Sequence, residues 1–373
     1  MTLATSVSEL ERYATPWDDL VARAPNRVHS ISHAWIAAFL AHLVGPDQGY
    51  ACLLAFADDT LIGAMPLLIS RKYFSLLTKS EVCPPTSPET FASDLICRAN
   101  DADGIIDVMV RALDRFLPSA WELEFHHISE CSPVVGYFSN GGSSWLSAVE
   151  FDGVGNVVLT TGSFDDYLGS LRTSFARNLR RVDRKIRALP DFEVESLTGE
   201  RAHAGVLDDF LELEASGWKG KGGTAIREDP RQVAFYRDFT RRMRERGWLE
   251  WNVLRAEGKI LAAHMAVKID RVLYLWKIAY DEEYKAYAPG NVLMANTLRT
   301  AFESAGTDEV NCLTSTEWNQ NWNMTGRRYY NVTVWPKRTL PFFAGYCRKQ
   351  SKAILGKIPF VKKTYHAVRR VAR

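Results

Sequence analysis

The stretch "LYLWKIAYDEEYKAYAPGNVLMANTLRTAFESAG" (273–306) joins a β-like run to a long amphipathic helix through a polar elbow that ends in Pro289-Gly290. No strong capping box opens this helix, so its first amide N–H groups need partners from elsewhere. Pro289 has no N–H to satisfy and Gly290 permits φ > 0, so the pair can turn the chain sharply. The amides from Asn291 to Leu293 then point out of a helix end whose dipole adds about half a positive charge. Such an end is either a seat for phosphate or an ordinary strand-to-helix turn.

The remaining sequence sets this elbow in a larger frame. A chain of 373 residues fits two domains of roughly 150 to 200 residues. Its 46% hydrophobic and 24% charged content is that of a soluble globular protein with real cores. Cys52, Cys83, Cys97, Cys131, Cys312 and Cys347 show no C-x-x-C spacing. They describe neither a metal site nor a disulfide framework and are expected to be reduced thiols. No basic-then-apolar leader opens the chain, and no apolar run is long enough to span a bilayer, so a cytoplasmic protein is expected.

Charge is distributed unevenly. After Glu317 there is no Asp or Glu, while 13 Lys and Arg lie between Arg327 and Arg373, leaving 33 basic against 44 acidic side chains before them. The tail, 341–373, alternates Phe, Tyr, Ile and Val with Lys and Arg. Its expected partner is an anionic membrane surface or the acidic body of the protein itself.

Periodicity gives both halves a similar order. In the first, "HAWIAAFLAHL" (33–43) is helical and "YACLLAFADDTLIGAMPLLIS" (50–70) is a hairpin turning at Asp58-Asp59, with Gly63 and Pro66 ending regular pairing. "DADGIIDVMVRALDRFL" is a helix and "WELEFHHI" (121–128) a strand. "FDGVGNVVLTTGSF" reads as a crossing segment closing at a capping residue, Ser163. In the second half, "SFDDYLGSLRTSFARNLRRVDRKIRAL" reads as one long Arg-rich helix ended by Pro190. "AGVLDDFLELEASGW" and "RQVAFYRDFTRRMRERG" are further helices. Three antiparallel strands follow, turning at Glu257-Gly258 and Asp270-Arg271, then the elbow, its helix and the strand "EVNCL". The fold class is α+β, with two stacked copies of one arrangement.

The run "GKILAAHMAVKIDRVLYLWKIAYDEEYKAYAPGNVLMANTLRTAFESAG" resembles the GNAT superfamily, in its N-acetyltransferase branch associated with cellulose and other exopolysaccharide biosynthesis. That branch is similar to the Fem-type transferases in carrying two GNAT-like folds in tandem. The resemblance is densest over 250–322 and extends loosely over most of the chain outside the tail. It implies a degenerate GNAT-like domain at 1–155, a GNAT acyltransferase domain at 156–340 and a basic tail at 341–373. It also implies that Lys277, Ile278, Ala279, Pro289, Gly290, Asn291, Val292 and Leu293 hold the acyl-CoA, the elbow taking its pyrophosphate.

Two departures from the family pattern stand out. The usual phosphate loop is reduced to "AYAPGN", and after the last strand Asn311, Ser315 and "TEWNQNW" keep Trp322 but supply no lysine. In Fem-like enzymes that lysine is implied in handling a tRNA-borne donor, so its absence ranks CoA-dependent above tRNA-dependent transfer. A carrier-protein phosphopantetheine would satisfy the same groove.

Acyl transfer from a thioester needs a base near the nucleophile, a donor for the carbonyl oxygen and an acid for the leaving thiolate. His264, on a central strand, is the first candidate base, or else a satisfied core residue. Tyr280 can protonate a thiolate or pack in the core, and Asp281 and Glu317 sit where strands end. Glu214 is expected to face solvent. The loop "WKGKGGTAIR" offers Trp218, Lys219, Lys221 and Arg227 to an anionic acceptor, or is merely mobile surface; Trp318 and Trp322 join this acceptor set. Arg172, Arg177, Arg180, Arg181 and Arg184 form a solvated face or an anion groove.

These residues suggest an acyl-CoA-dependent acyltransferase acting by direct attack of an amine or hydroxyl, without a metal. The expected acceptor is an amino sugar, polysaccharide precursor or natural-product intermediate, and acyl carrier protein is a further candidate partner. Nucleic acid is not an expected partner. Two alternatives stand beside this reading: a Fem-like aminoacyl-tRNA-dependent transferase, and a non-catalytic protein that binds CoA or a carrier protein.

Overall fold

Hairpins in both halves turn on pairs of residues in left-handed backbone, whose twist matches that of the flanking strands. The computed structural model describes residues 1–74, 77–141, 145–315 and 317–335. The basic tail and its expected contacts lie outside them. In the first half β1 (Thr2–Ala4) pairs with β2 (Gln48–Ala57), and Asp58 and Asp59, at φ 47° and 63°, lead into β3 (Thr60–Phe74). β4 (Leu77–Cys83) and the short β5 (Ile96–Cys97) pair with β3. A helix, Ala102–Phe116, then returns the chain to β6 (Ala120–Ser129), parallel to β4. β7 (Leu146–Leu159) follows.

The second half repeats that order. β8 (Glu193–Thr198) pairs with β9 (Leu249–Ala256), which turns through Glu257 and Gly258, at φ 52° and 74°, into β10 (Lys259–Ile269) and then β11 (Val272–Tyr280). The helix Pro289–Glu303 leads to β12 (Glu309–Asn311), parallel to β11. The unit of antiparallel meander, helix and parallel strand therefore occurs twice in tandem, and the fold is α+β.

A last strand, β13 (Thr325–Trp335), binds the units together. The sheet runs β1-β2-β3-β4-β6-β13-β7-β12-β11-β10-β9-β8, with β5 beside β3. β13 lies between β6 and β7, so a strand from the end of the second half completes the first-half sheet. β7 in turn pairs with β12. The expected boundary at residue 155 thus falls inside β7, and the segment expected merely to cross between halves is itself a central strand.

Helices cover both faces of the second-half sheet. Ala204–Ser216 and Pro230–Glu245 bury Phe210, Phe235 and Phe239 against Trp251, Val253 and Met265. On the opposite face Thr173–Ile186 and Pro289–Glu303 bury Leu179, Val182 and Leu298 against Leu254 and Ala262. Each such side chain contributes about 1.5–3 kcal/mol of transfer free energy. Thr173–Ile186 buries Ala176, Leu179, Val182 and Ile186 at helical spacing, which leaves Arg177, Arg180, Arg181 and Arg184 exposed.

Several elements differ from expectation. β3 continues through Pro66, which falls between the stretches of that edge paired to β5 and to β4, where a missing N–H breaks no ladder bond. The long helix is two, Phe164–Ser170 and Thr173–Ile186, because the chain extends at Leu171 to bury that side chain. β8 and β13 were not expected. β13 opens on exposed residues and only later buries Val332 and Val334, so its pattern is weak locally.

Candidate functional site

β11 and β12 pair only over Val272–Tyr274 and Glu309–Asn311, and then part. A bulge helps to open the gap: in the ladder with β10, Met265 faces Lys277 and Ala266 faces Leu275, so Trp276 is the extra residue. Bulges kink a strand and locally increase its twist. From Leu275 to Tyr280 this edge of β11 has no strand partner among the described residues.

The elbow closes one face of the gap. Ala288, not Gly290, takes the left-handed turn, at φ 48° and ψ 53°. Asp281 caps the turn Glu282–Tyr287 by accepting from Glu283 N (2.9 Å), and it pairs with Lys259 Nζ (3.1 Å). Ala288 N donates to Lys285 O, and the Asn291 and Val292 amides both donate to Ala288 O (3.0 and 3.1 Å). The Asn291–Leu293 amides expected to meet a phosphate are therefore not the open ones: the first two are spent inside the helix, and Val292 and Leu293 are buried. Pro289 has no N–H, and Gly290 N–H has no partner among the described residues.

A cavity of about 420 Å³ lies here, lined by His264, Tyr280, Lys285, Gly290, Met294 and Trp318. Tyr280 is 38% exposed and stands beside Gly290. His264 is buried, with Nδ1 3.4 Å from Thr297 Oγ1, and burial pushes its pKa down to about 3. It is a neutral imidazole, far from the basicity that general-base work near neutrality requires.

The opposite face holds a second cavity, of about 380 Å³, lined by Glu89, Phe91, Lys219, Trp276, Lys277 and Trp318. Lys277 Nζ lies 2.6 Å from Glu89 Oε2, and Tyr236 Oη donates to the same oxygen. Burial, and then the Glu89 charge, push the Tyr236 hydroxyl well above its ordinary value, so it remains a donor. Opposed faces follow from the register: His264 and Ile278 face each other on the elbow side, Met265 and Lys277 on the other. Ile278 and Trp318 line both cavities, at the gap.

The glycine-rich loop lines the second cavity through Lys219. It forms a short helix, Trp218–Lys221, held to the elbow through Glu282, which accepts from Trp218 N (2.8 Å) and Lys221 Nζ (2.8 Å). Glu214 is buried rather than solvent-facing, because it pairs with Lys219 Nζ (2.6 Å) and accepts from Ile226 N (2.9 Å). A side chain at Gly220 would bring Cβ to 1.8 Å from Ala215 O, so the loop needs glycine there. Lys219 and Lys221 thus neutralise local carboxylates instead of waiting for an anionic acceptor. Arg227 and the 65%-exposed Trp218 line neither cavity.

Other expected site residues also move. Trp322 is fully buried in the core under Thr173–Ile186, packed on Phe175, and cannot touch an acceptor. Asp281 is occupied as a cap and ion-pair partner. Ala279 is buried beside Ala263 on β10 and offers only backbone. Glu317 begins the turn Glu317–Trp322, and its side chain is not among the described ones. Glu89 and Tyr236 were missed: Glu89 lies in "PPTSPETF", which has no period, and no local signal connects it to β11. Among the described residues no cluster of three His, Cys, Asp or Glu is placed to hold a metal ion. None of their helices is long and apolar enough to cross a membrane.

Residues 173–322, which contain the gap and both its cavity-bearing strands, match the acetyltransferase (GNAT) domain model. The class so defined is an acyltransferase enzyme built on a GNAT domain. No curated protein matches the chain. Among solved structures it is similar to FemX, with 10% identity and a TM-score of 0.59, over 88% of this chain and 97% of that one. It is also similar to the C-terminal domain of a putative lysylphosphatidylglycerol synthetase from Agrobacterium fabrum (12%, TM-score 0.51, over 88% and 92%). A conserved protein of unknown function from Bacteroides thetaiotaomicron gives 13% and 0.51, over 88% and 97%. At such identities the likeness is one of fold.

Proposed function

We propose that the protein transfers an acyl group, most simply acetyl, from an acyl-CoA to the amine of an amino sugar or related polysaccharide precursor. The observation that carries this reading is the gap between β11 and β12, with a cavity on each face and Ile278 and Trp318 between them. The elbow face suits the donor. Gly290 N–H and Lys285 line it, a backbone donor and a cation for the pyrophosphate. The unpaired edge of β11 suits the two amides of a pantetheine arm, which would add to the sheet as a short strand.

The thioester then reaches the gap, and the acceptor meets it from the Trp318 and Glu89 face. The amine nitrogen attacks the carbonyl carbon, the C–S bond breaks, and the thiolate takes a proton. Tyr280, half exposed beside the elbow, is the acid on the donor side. The tail's role, at a membrane surface or against the body, and docking of an acyl carrier protein belong to the same reading and rest on charge alone.

Titration with acetyl-CoA, a long-chain acyl-CoA, acylated carrier protein and aminoacyl-tRNA, read by thermal shift and calorimetry, tests the donor. Saturable binding of an acyl-CoA is expected. Binding of aminoacyl-tRNA or carrier protein with none of acyl-CoA would replace the reading. Binding of CoA species without thiol release to any acceptor would make the protein a binding module.

A further inference from the structure

Glu89 comes from the first half of the chain, yet it lies at the gap in the second. Its Oε2 accepts from both Lys277 Nζ and Tyr236 Oη, while Oε1 has no partner among the described residues. The side chain is only 11% exposed, on a residue that lines the acceptor-face cavity. Phe91, Trp276 and Trp318 line the same space, and aromatic faces with one carboxylate oxygen suit a cation. The two lysines here are each neutralised, Lys277 by Glu89 and Lys219 by Glu214.

We propose that the first half completes the active site through Glu89, whose free Oε1 binds the ammonium of a primary-amine acceptor and removes its proton. This rests on the acyl-transfer reading above and goes beyond it by naming the base and the protonation state in which the acceptor arrives. One ammonium proton passes to Glu89 Oε1 and then to solvent. The freed lone pair forms the N–C bond, sulfur departs with the C–S pair, and the second proton lost from nitrogen ends on sulfur as thiol. The third stays on the amide. Tyr236 fixes the carboxylate from below and is a positioning residue.

The test compares Glu89→Gln with wild type by thiol release from acetyl-CoA. One arm uses ethylamine, cadaverine and glucosamine, which arrive protonated near neutral pH. The other uses hydroxylamine, which is already uncharged there and needs no base. Glu89→Gln is expected to lower kcat with the protonated amines about 100-fold, the usual scale of a lost general base, and to leave the hydroxylamine reaction within about threefold. Acetyl-CoA affinity of the folded protein, measured alongside, should stay near wild type, while Tm falls because the mostly buried Lys277 loses its charge partner.

Equal loss in both arms would mean a structural salt bridge, and no loss in either would mean another base; each overturns the proposal. Wild-type reaction with hydroxylamine but with none of the amines overturns the amine acceptor while leaving the donor reading intact. Absence of acetyl-CoA binding together with absence of any thiol release overturns the donor reading itself, and this inference with it.

Discussion

Lys277 Nζ sits 2.6 Å from Glu89 Oε2, and this contact joins the splayed strand of the second half to the Pro-rich loop of the first. Both side chains are mostly buried, so the pair's strength is best read as what its halves cost when left alone. Lys277→Met is expected to destabilise by roughly 3 kcal/mol, because it strands a carboxylate with only Tyr236 for company. Adding Glu89→Gln should recover at least about 1 kcal/mol of that loss. Urea unfolding of the two single variants and the double variant measures this. Simple additivity would mean that the two charges do not interact.

Gly290→Val separates the elbow's folding role from its binding role. Gly290 is not the left-handed residue, and an added Cβ meets only the Tyr280 ring, at 3.7 Å, an ordinary contact. The variant should fold. Its branched side chain would stand in front of the Gly290 amide, so acetyl-CoA affinity should fall at least about tenfold, the scale of one lost charge-assisted hydrogen bond. Calorimetric titration reads the result, and unchanged affinity would place the pyrophosphate elsewhere.

Gly220→Ala should act oppositely, through backbone. Its Cβ would fall 1.8 Å from Ala215 O, so the loop must shift, loosening Lys219 from Glu214. A cost of about 1–3 kcal/mol is expected, with faster proteolysis within 217–224. Wild-type stability and protection would mean that the short helix there is not packed as described.

His264 gives a pH signature. Burial holds its native pKa near 3, against an ordinary 6.5. Below pH 6.5 the unfolded chain binds a proton that the native imidazole refuses, so this group lowers stability as pH falls from 6.5 toward 3. Over two pH units the effect is about 2 kcal/mol. Comparing urea unfolding of wild type and His264→Gln at pH 7 and 4.5 should show a flatter profile for the variant. A nitrogen NMR spectrum at pH 5 should still report a neutral ring, and a charged one would restore His264 as a candidate base.

Trp322→Ala tests whether this tryptophan belongs to the core or to an acceptor surface. With its ring fully buried on Phe175, the loss should be about 3–5 kcal/mol. The surviving folded fraction should bind acetyl-CoA as wild type does. A stable variant with weaker acceptor binding would return Trp322 to the site.

Local pattern made much of this legible. Asp58-Asp59 and Glu257-Gly258 marked their hairpins because left-handed pairs have few other uses. The elbow's position is marked by Pro289 and Gly290, but Ala288 makes the left-handed turn, and the Asn291 and Val292 amides are spent inside the helix while Gly290 N–H has no partner among the described residues. Trp322 was misplaced because an aromatic near a strand end reads alike whether it faces a core or a ligand. Lys219 and Lys221 looked like free cations because their partners, Glu214 and Glu282, are set by folding.

The sequence alone determined the periods, the turns and the apolar faces, since these depend on residues within a few positions of one another. Only the tertiary structure decided which strands are neighbours, and with that which charges meet. Placing β13 between β6 and β7 draws the two halves into one sheet. That shared sheet carries Glu89 to Lys277, a meeting that no short-range pattern can encode because it depends on the closure of a long loop.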